Sequence, residues 1–331
     1  MISPEDNWNE NEPRVSVVVL NWNKAALSAR CVTALMLQSY INLRVIVVDN
    51  GSESGSLGPL IELDVPFRLL RNARNMGFTG GVNTGIAHAM ADGSDFIWLL
   101  NNDAEPERDT LTLLVDRMVR DEQLGLVSPL ILNADENDEV EFCGGIWDGL
   151  TFATTDRLKV YQDWQISRPA QIWLVGTALL IRSRVIDRIG VFDQRFFAYW
   201  EDNDFSVRSI QAGYRNAVVS NSIVRHWSGR PKTELSSKPP YYHYYMARNE
   251  ILFIKKHGNG PVIVKLIVWA IDRQFTRIDT MRASQKEAEA IMLGLRDGMM
   301  GVGGAYNPDK RLSWVAKCLF GVARRMFRHR S

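Results

Sequence analysis

Cysteine is scarce in this chain. Cys31, Cys143 and Cys318 are its whole complement in 331 residues. They are odd in number, lie far apart and form no CxxC pair, so neither a disulfide framework nor a zinc knuckle is supported. Such usage fits a reducing, cytoplasmic setting. An excess of one charge is also missing. Lysine and arginine number 39 against 38 acids, a net charge of +1, so no overall field argues for nucleic acid. No apolar run reaches the roughly 18 residues a spanning helix needs. The nearest, 261–271, is interrupted by Lys265. The opening residues, MISPEDNWNENEPR, are acidic and polar. They do not resemble a signal peptide and read as a loose lead-in over 1–13. Neither GxGxxG nor GxxxxGK[ST] occurs, so Rossmann-type NAD binding and P-loop NTP hydrolysis are unsupported. Internal repeats and low-complexity tracts are absent as well.

What is present is alternation. Val15 to Leu20 is a β-branched run that reads as a buried parallel strand. Lys24 to Tyr40 follows with a broad apolar stripe and predicts a helix. Strands are expected at 44–48, 67–70, 96–100 and 124–127, with helices at 79–90 and 109–120. This order predicts a mostly parallel, Rossmann-like α/β sheet flanked by helices. Residues 148–170 lack clear periodicity and read as a loop or small hairpin. Short helices are expected at 183–189 and 205–212 and a short strand at 217–219. From residue 241 the pattern becomes helical, with segments at 242–257, 262–278, 285–299 and 312–327. The expected organisation is a catalytic-type domain over 14–240, divided near residue 130, and a helical appendage over 241–331. In the last segment an apolar stripe opposes Lys317, Arg324, Arg325 and Arg328. A basic amphipathic helix of this kind suits either an anionic membrane surface or a protein contact.

Each of the early strands ends in a polar cluster: Asn21-Trp22-Asn23, Asp49-Asn50-Gly51-Ser52 and Asn101-Asn102-Asp103. Parallel strands point one way, so these clusters share one edge of the sheet, where open α/β sheets bind ligands. Asp49 is a carboxylate able to accept from a pyrimidine N–H; a tight turn is the plain alternative. Residues 74–83, RNMGFTGGVN, are glycine-rich and open a helix. Backbone N–H groups there favour anions, and Arg74 adds a full charge. A divalent metal on a diphosphate needs few protein ligands, and Asp103 at a strand end meets that need minimally. Trp200-Glu201-Asp202-Asn203-Asp204 places three acids before a helix. Helix-dipole electrostatics favour acids there; a general base with acidic neighbours is the functional reading. Phe197, Tyr199 and Trp200 would supply an aromatic wall. His226 gains weight only if it comes near Asp103.

These elements in this order resemble the family 2 glycosyltransferases of GT-A fold, in the rhamnosyltransferase- and galactofuranosyltransferase-like branch. The matching stretches are VSVVVLNWN, VIVVDNGS, RNMGFTGGVNTGI, WLLNNDAEP, WLVGTALLIRSRVIDRIGVFDQRFF, YWEDNDFSVRSIQAGYR and YYMARNEILFIKKH. Together they cover roughly residues 14–257. The resemblance implies an inverting transfer from a nucleoside-diphosphate sugar. Thymidine-diphosphate rhamnose is favoured and uridine-diphosphate sugars come next. It implies Asp49 on the nucleotide base, Asp103 and His226 on Mg²⁺ or Mn²⁺, and Asp202 as base with Glu201 beside it. Asn21, Asn23, Asn50, Arg74, Gly77, Asn83 and Asn102 are expected to hold the donor, and Trp200, Asp204, Gly176 and Thr177 the acceptor. The family's DxD element here reads Asn101-Asn102-Asp103, without its first acid. The expected acceptor is a glycan or lipid-linked glycan of surface polysaccharide synthesis, met at the inner face of the cell membrane. Whether the chain forms a homo-oligomer stays open. A catalytically silent sugar-nucleotide-binding scaffold is the competing reading. A nucleotidyltransferase would carry a basic glycine-rich loop after the first strand, where Asn21-Trp22-Asn23-Lys24 stands instead.

Overall fold

The structure is a computed structural model that describes residues 8–149, 151–227, 238–280, 283–314, 316 and 320. Its elements are β1 (Val15–Asn21), α1 (Ala25–Leu35), β2 (Leu43–Asp49), α2 (Gly58–Ile61), β3 (Arg68–Arg71), α3 (Gly77–Ala91), β4 (Phe96–Asn101) and β5 (Ala104–Pro106). There follow α4 (Thr110–Arg120), β6 (Leu124–Asn133), β7 (Glu139–Phe142), β8 (Gly145–Trp147), β9 (Phe152–Thr154) and α5 (Leu158–Ser167). Next come β10 (Ile172–Trp173), β11 (Ala178–Arg182), α6 (Ser183–Ile189), α7 (Glu201–Gln211) and β12 (Arg215–His226). Three helices complete the set: α8 (Pro240–His257), α9 (Val262–Thr280) and α10 (Gln285–Met300). The chain divides into two compact units, one drawn from 1–193 and 201–230, the other from 194–200 and 231–331.

The first unit is built on a mixed sheet of order β3-β2-β1-β4-β11-β6-β12-β5, with β7 also paired to β6. Strands β3, β2, β1 and β4 run parallel. Alternate side chains of β1 serve opposite faces, as the pleat requires. Val15, Val17 and Val19 join α1 and α4 on one side, while Val18 meets Val82 and Ile86 of α3 on the other. Burial on both faces explains why valine recurs on both sides of the pleat, at Val15, Val17, Val18 and Val19. The approach of α3 depends on glycine: a Cβ on Gly85 would collide with Val18.

The sheet is less parallel than the alternation predicts, because β11 runs antiparallel to both β4 and β6. The chain enters β11 through Gly176-Thr177 at the carboxyl end of β4, where the Asn101 N–H donates to the Thr177 carbonyl at 2.9 Å. Entry from that edge forces the opposite direction. Helix α1 stops at Leu35, short of the expected Tyr40. The Gln38 side chain donates to the Glu107 carbonyl at 2.8 Å, and the Ser39 N–H donates to Arg108 at 2.9 Å. These bonds draw the chain off the helix and leave Leu37 exposed. Strands β6 and β12 are longer than expected, and residues 158–167 form a helix where a loop or hairpin was expected. A second, three-stranded sheet pairs β8 with β9 and β10.

The second unit packs α8, α9 and α10 around Tyr244, Ala247, Ile251, Phe275 and Ile291. A Ser284–Glu287 capping box starts α10. Arg248 and Asn249 of α8 are fully enclosed. Arg248 donates to the carbonyls of Arg195 at 3.0 Å and Phe196 at 2.6 Å. Asn249 donates to those of Phe196, Ala198 and Tyr199 at 2.7–2.9 Å. The held segment carries three non-glycine residues in the left-handed region, Phe197, Tyr199 and Trp200. Such residues cost about 1–3 kcal/mol each and persist only where the surroundings over-determine them. Most of the expected helix over 312–327 lies outside the described residues. Among the described residues no helix is long and apolar enough to cross a membrane.

Candidate functional site

The ends of β1, β2 and β4 converge on one hydrogen-bond chain. Asn102 Nδ2 donates to Ser28 Oγ at 3.0 Å, and Ser28 donates to Asn21 Oδ1 at 2.8 Å. Asn21 Nδ2 donates to Asp49 Oδ1 at 3.1 Å, and Arg71 Nε donates to Asp49 Oδ2 at 3.1 Å. Asn21 and Asp49 are fully buried. Parallel register places Asn21 opposite Asp49, which is why the pair forms. Asn21 is thereby engaged with protein partners, Ser28 and Asp49. Asn23 is left-handed, at φ 55, and joins the loop after β1 to the loop after β2 by accepting from Glu53 N–H at 2.8 Å.

Asn50 joins the end of β2 to the loop before α3. Its Nδ2 donates to Gly77 O at 2.9 Å and Asn75 Oδ1 at 3.1 Å. Its Oδ1 accepts from Met76 N–H at 3.0 Å and Asn72 Nδ2 at 3.1 Å. Gly51 lets the two segments close up: its φ is +73, and a Cβ there would lie 2.5 Å from the Arg74 carbonyl carbon. Arg74 itself is exposed, with no ion pair among the described residues. Asn83, expected to hold the donor, is bonded to another segment. Its amide brackets Phe192, donating to the carbonyl at 2.8 Å and accepting from the N–H at 3.1 Å. That reciprocal pair ties α3 to the turn after α6.

Asp103 and His226 are brought together by β5, which pairs with β12 so that His226 stands opposite Ala104. His226 Nε2 lies 3.2 Å from Asp103 Oδ1, and its Nδ1 lies 3.0 Å from Glu141 Oε2. Burial pulls the imidazole's pKa down, but the contacts with Asp103 and Glu141 outweigh it and raise the pKa to about 9. Asp103 Oδ1 is buried yet makes no aligned hydrogen bond. A hard anionic carboxylate oxygen beside an imidazole nitrogen is a donor set that fits a divalent cation once the imidazole has given up its Nε2 proton. No group of three His, Cys, Asp or Glu side chains among the described residues could hold a metal unaided, so a ligand's phosphates would have to complete the shell.

Asp202 sits in the first turn of α7, where the helix dipole favours a carboxylate. Its Oδ2 accepts from Gly176 N–H at 3.1 Å and its Oδ1 from Asn203 N–H at 2.8 Å. Burial raises its pKa, and those backbone donors pull part of the shift back. Glu201 is raised well above its ordinary value, by burial first and then by Asp202 and Asp204. Its Oε2 is buried without a hydrogen bond. Thr177 follows Gly176 and bonds through its carbonyl to Asn101, so the Asp202 neighbourhood is pinned to the end of β4. Asp204, expected to hold the acceptor, is fully enclosed and pairs with Arg208 at 2.8 Å. Trp200 lies in the second unit and packs on Phe253 at 5.4 Å, while Phe197 stacks on Tyr245 at 5.5 Å. The sequence reading missed Ser28, Arg71 and Glu141. Their only signal is contact between elements far apart in sequence, which a linear motif does not carry.

Residues 16–166 match the model of glycosyl transferase family 2. A galactofuranosyltransferase of Mycolicibacterium smegmatis is 29% identical over 203 residues, 60% of this chain and 66% of that protein. The chain thus spans just under two thirds of that relative's length. An N-acetylglucosaminyl-diphospho-decaprenol L-rhamnosyltransferase of Mycobacterium tuberculosis is 26% identical over 232 residues, 63% of this chain and 75% of that protein. Among solved structures, a mannosyltransferase of Pyrobaculum calidifontis in complex with GDP-Man and Mn²⁺ aligns with a TM-score of 0.55 at 18% identity. That alignment covers 97% of this chain and 90% of the other. The fold is GT-A, with added C-terminal helices.

Proposed function

We propose that the chain, whose residues 16–166 match the model of glycosyl transferase family 2, moves a sugar from a nucleoside-diphosphate donor to a hydroxyl of a glycan or lipid-linked glycan, by one inverting displacement. One observation carries the reading. The end of β4 presents Asp103 beside His226 and is bonded through Asn101 and Thr177 to the Gly176 turn that holds Asp202. A diphosphate site and a candidate base therefore meet at one sheet edge, where ligands of open α/β folds bind.

The residues divide the work. Asp49, oriented by Asn21 and Arg71, reads the base. The Asn50-held loop with Gly77 and Arg74 faces the diphosphate, where backbone N–H groups and a guanidinium favour anions. Asp103 and His226 would hold a divalent cation, which supplies charge stabilisation to the departing diphosphate. Asp202 takes the acceptor proton as the hydroxyl oxygen attacks the anomeric carbon; a pKa raised by burial makes it a stronger base. The Gly176 N–H keeps that carboxylate oriented, and Glu201 sets its field.

The donor we favour is thymidine-diphosphate rhamnose, with uridine-diphosphate sugars next, because relatives named for rhamnosyl and galactofuranosyl transfer align over 63% and 60% of this chain. A lipid-linked acceptor agrees with the rhamnosyltransferase relative's name. It also agrees with the exposed apolar residues of α9, Val262, Val264, Val268 and Trp269, which suit a membrane surface. The test is calorimetric titration of a sugar-nucleotide panel with Mn²⁺ or Mg²⁺, into wild type and Asp103→Ala. One thymidine or uridine donor should bind, more weakly after the mutation or with chelator. Binding indifferent to both would remove the metal site from the reading, and failure of every donor would favour a silent scaffold.

A further inference from the structure

Glu141 has no place in the reaction as described above, yet the sheet makes a special provision for it. Strand β7 pairs with β6 through Phe142 opposite Ile131 and Val140 opposite Leu132, and the register slips between these two pairs. One step on β6 thus meets two on β7, and Glu141 is the additional residue. A bulge of this kind re-aims a side chain. Here Glu141 Oε2 meets His226 Nδ1 at 3.0 Å, on the opposite side of the imidazole from Asp103. The carboxylate and the imidazole are both largely shielded, with side-chain exposures of 30% and 11%.

We propose that Glu141 is the positioning residue of the metal site: it accepts the Nδ1 proton of His226, fixes the tautomer that leaves Nε2 as the ligand, and aims that nitrogen at the cation beside Asp103. The inference rests on the metal reading of Asp103 and His226. Its physical basis is general. A ligating imidazole has two nitrogens, and a carboxylate on the remote one fixes the ring's orientation and raises the ligand's basicity. His226 Nε2 already faces Asp103 Oδ1 at 3.2 Å, which shows where the ligand nitrogen points. Glu141 touches neither substrate nor cation in this arrangement and acts only through the ring.

The experiment is Mn²⁺ binding to the full chain with uridine diphosphate present, followed by electron paramagnetic resonance. Pulsed spectra read the nitrogen coupling of a bound imidazole. Wild type should show that coupling, and His226→Ala should lose it. Glu141→Ala should weaken Mn²⁺ binding about 10- to 100-fold, as loss of such a partner does, with the coupling diminished. Glu141→Gln, whose amide oxygen still accepts the Nδ1 proton, should recover much of the affinity. A merely structural role would not produce that rescue. A Glu141→Ala protein with wild-type affinity and intact coupling would overturn the inference alone. Wild type without nitrogen-coupled Mn²⁺ would overturn the metal reading and this inference with it. Thermal melts of each variant identify any that fail to fold, and Glu141→Gln, the smaller perturbation, then decides.

Discussion

Replacing Asn50 by alanine tests the claim that one side chain holds the donor loop to the sheet. Asn50 is 2% exposed and makes four side-chain hydrogen bonds, two to backbone groups and two to Asn72 and Asn75. At about 0.5–1.5 kcal/mol net apiece, four bonds amount to about 2–6 kcal/mol. The partners lie in a part-exposed loop that water can reach, so the lower portion, about 2–4 kcal/mol, is the expected loss. For a domain of this size that lowers Tm by roughly 5–12 °C. Scanning calorimetry reads the melt, and titration with uridine or thymidine diphosphate reads the loop, which should bind at least tenfold more weakly. Asn50→Asp sharpens the test. It keeps the acceptor facing Met76 and Asn72 but turns an acceptor toward the Gly77 carbonyl and Asn75 Oδ1, so it should be no milder than alanine. An Asn50→Ala melt within about 2 °C of wild type, less than one hydrogen bond's worth, together with unchanged nucleotide affinity, would refute the reasoning.

Other outcomes follow from the same geometry. Asp202→Asn should lower the transfer rate by about 10²–10⁴, the usual size of a general-base contribution, while calorimetry shows donor affinity within a few-fold of wild type. Because burial raises the pKa of Asp202, kcat/KM should climb with pH through a midpoint above the ordinary carboxylate range; a midpoint at that ordinary value would exclude Asp202 as the titrating base. Glu201 is raised further, so its charged form opposes folding. Its penalty is absent below its unfolded pKa and grows as pH rises through the folded one. Glu201→Gln should therefore melt higher than wild type at pH 8, with the difference shrinking toward pH 4; a constant difference across that range would rule out the titration argument. Asn249→Ala removes three bonds to the carbonyls of 196, 198 and 199 and should cost about 2–4 kcal/mol in denaturant titration.

The first half of the sheet was legible because β1, β2 and β4 are β-branched or aromatic runs that end in polar clusters, and parallel pairing turns such runs into one ligand edge. Antiparallel β11 was not legible, since its apolar run looks the same in either direction and only the Thr177 contact reveals where it enters. The ends of α1, β6 and β12 were misjudged where bonds such as Ser39 to Arg108 override local pattern. At the site, types were readable and partners were not. The sequence suggested that His226 matters near Asp103, and the structure puts the two 3.2 Å apart. Nothing in the sequence distinguished Asn83, whose amide serves Phe192, from Asn50, whose amide serves the loop. Glu141 needed a bulge to become visible.

The segment 194–200 sits in the chain ahead of α7, yet the side chains that hold its backbone come from α8. A chain made from its amino end therefore completes the sheet's long strands before the lead-in to Glu201 and Asp202 has its partners. Three left-handed aromatic residues have no reason to stay in that conformation until Arg248 and Asn249 are synthesised. The acidic turn of α7 is thus set late, and a chain cut after residue 230 would keep its strands while losing what holds Phe197 and Tyr199. The C-terminal helices are thus no detachable accessory: removing them removes the Arg248 and Asn249 bonds to the peptide that leads into the candidate base.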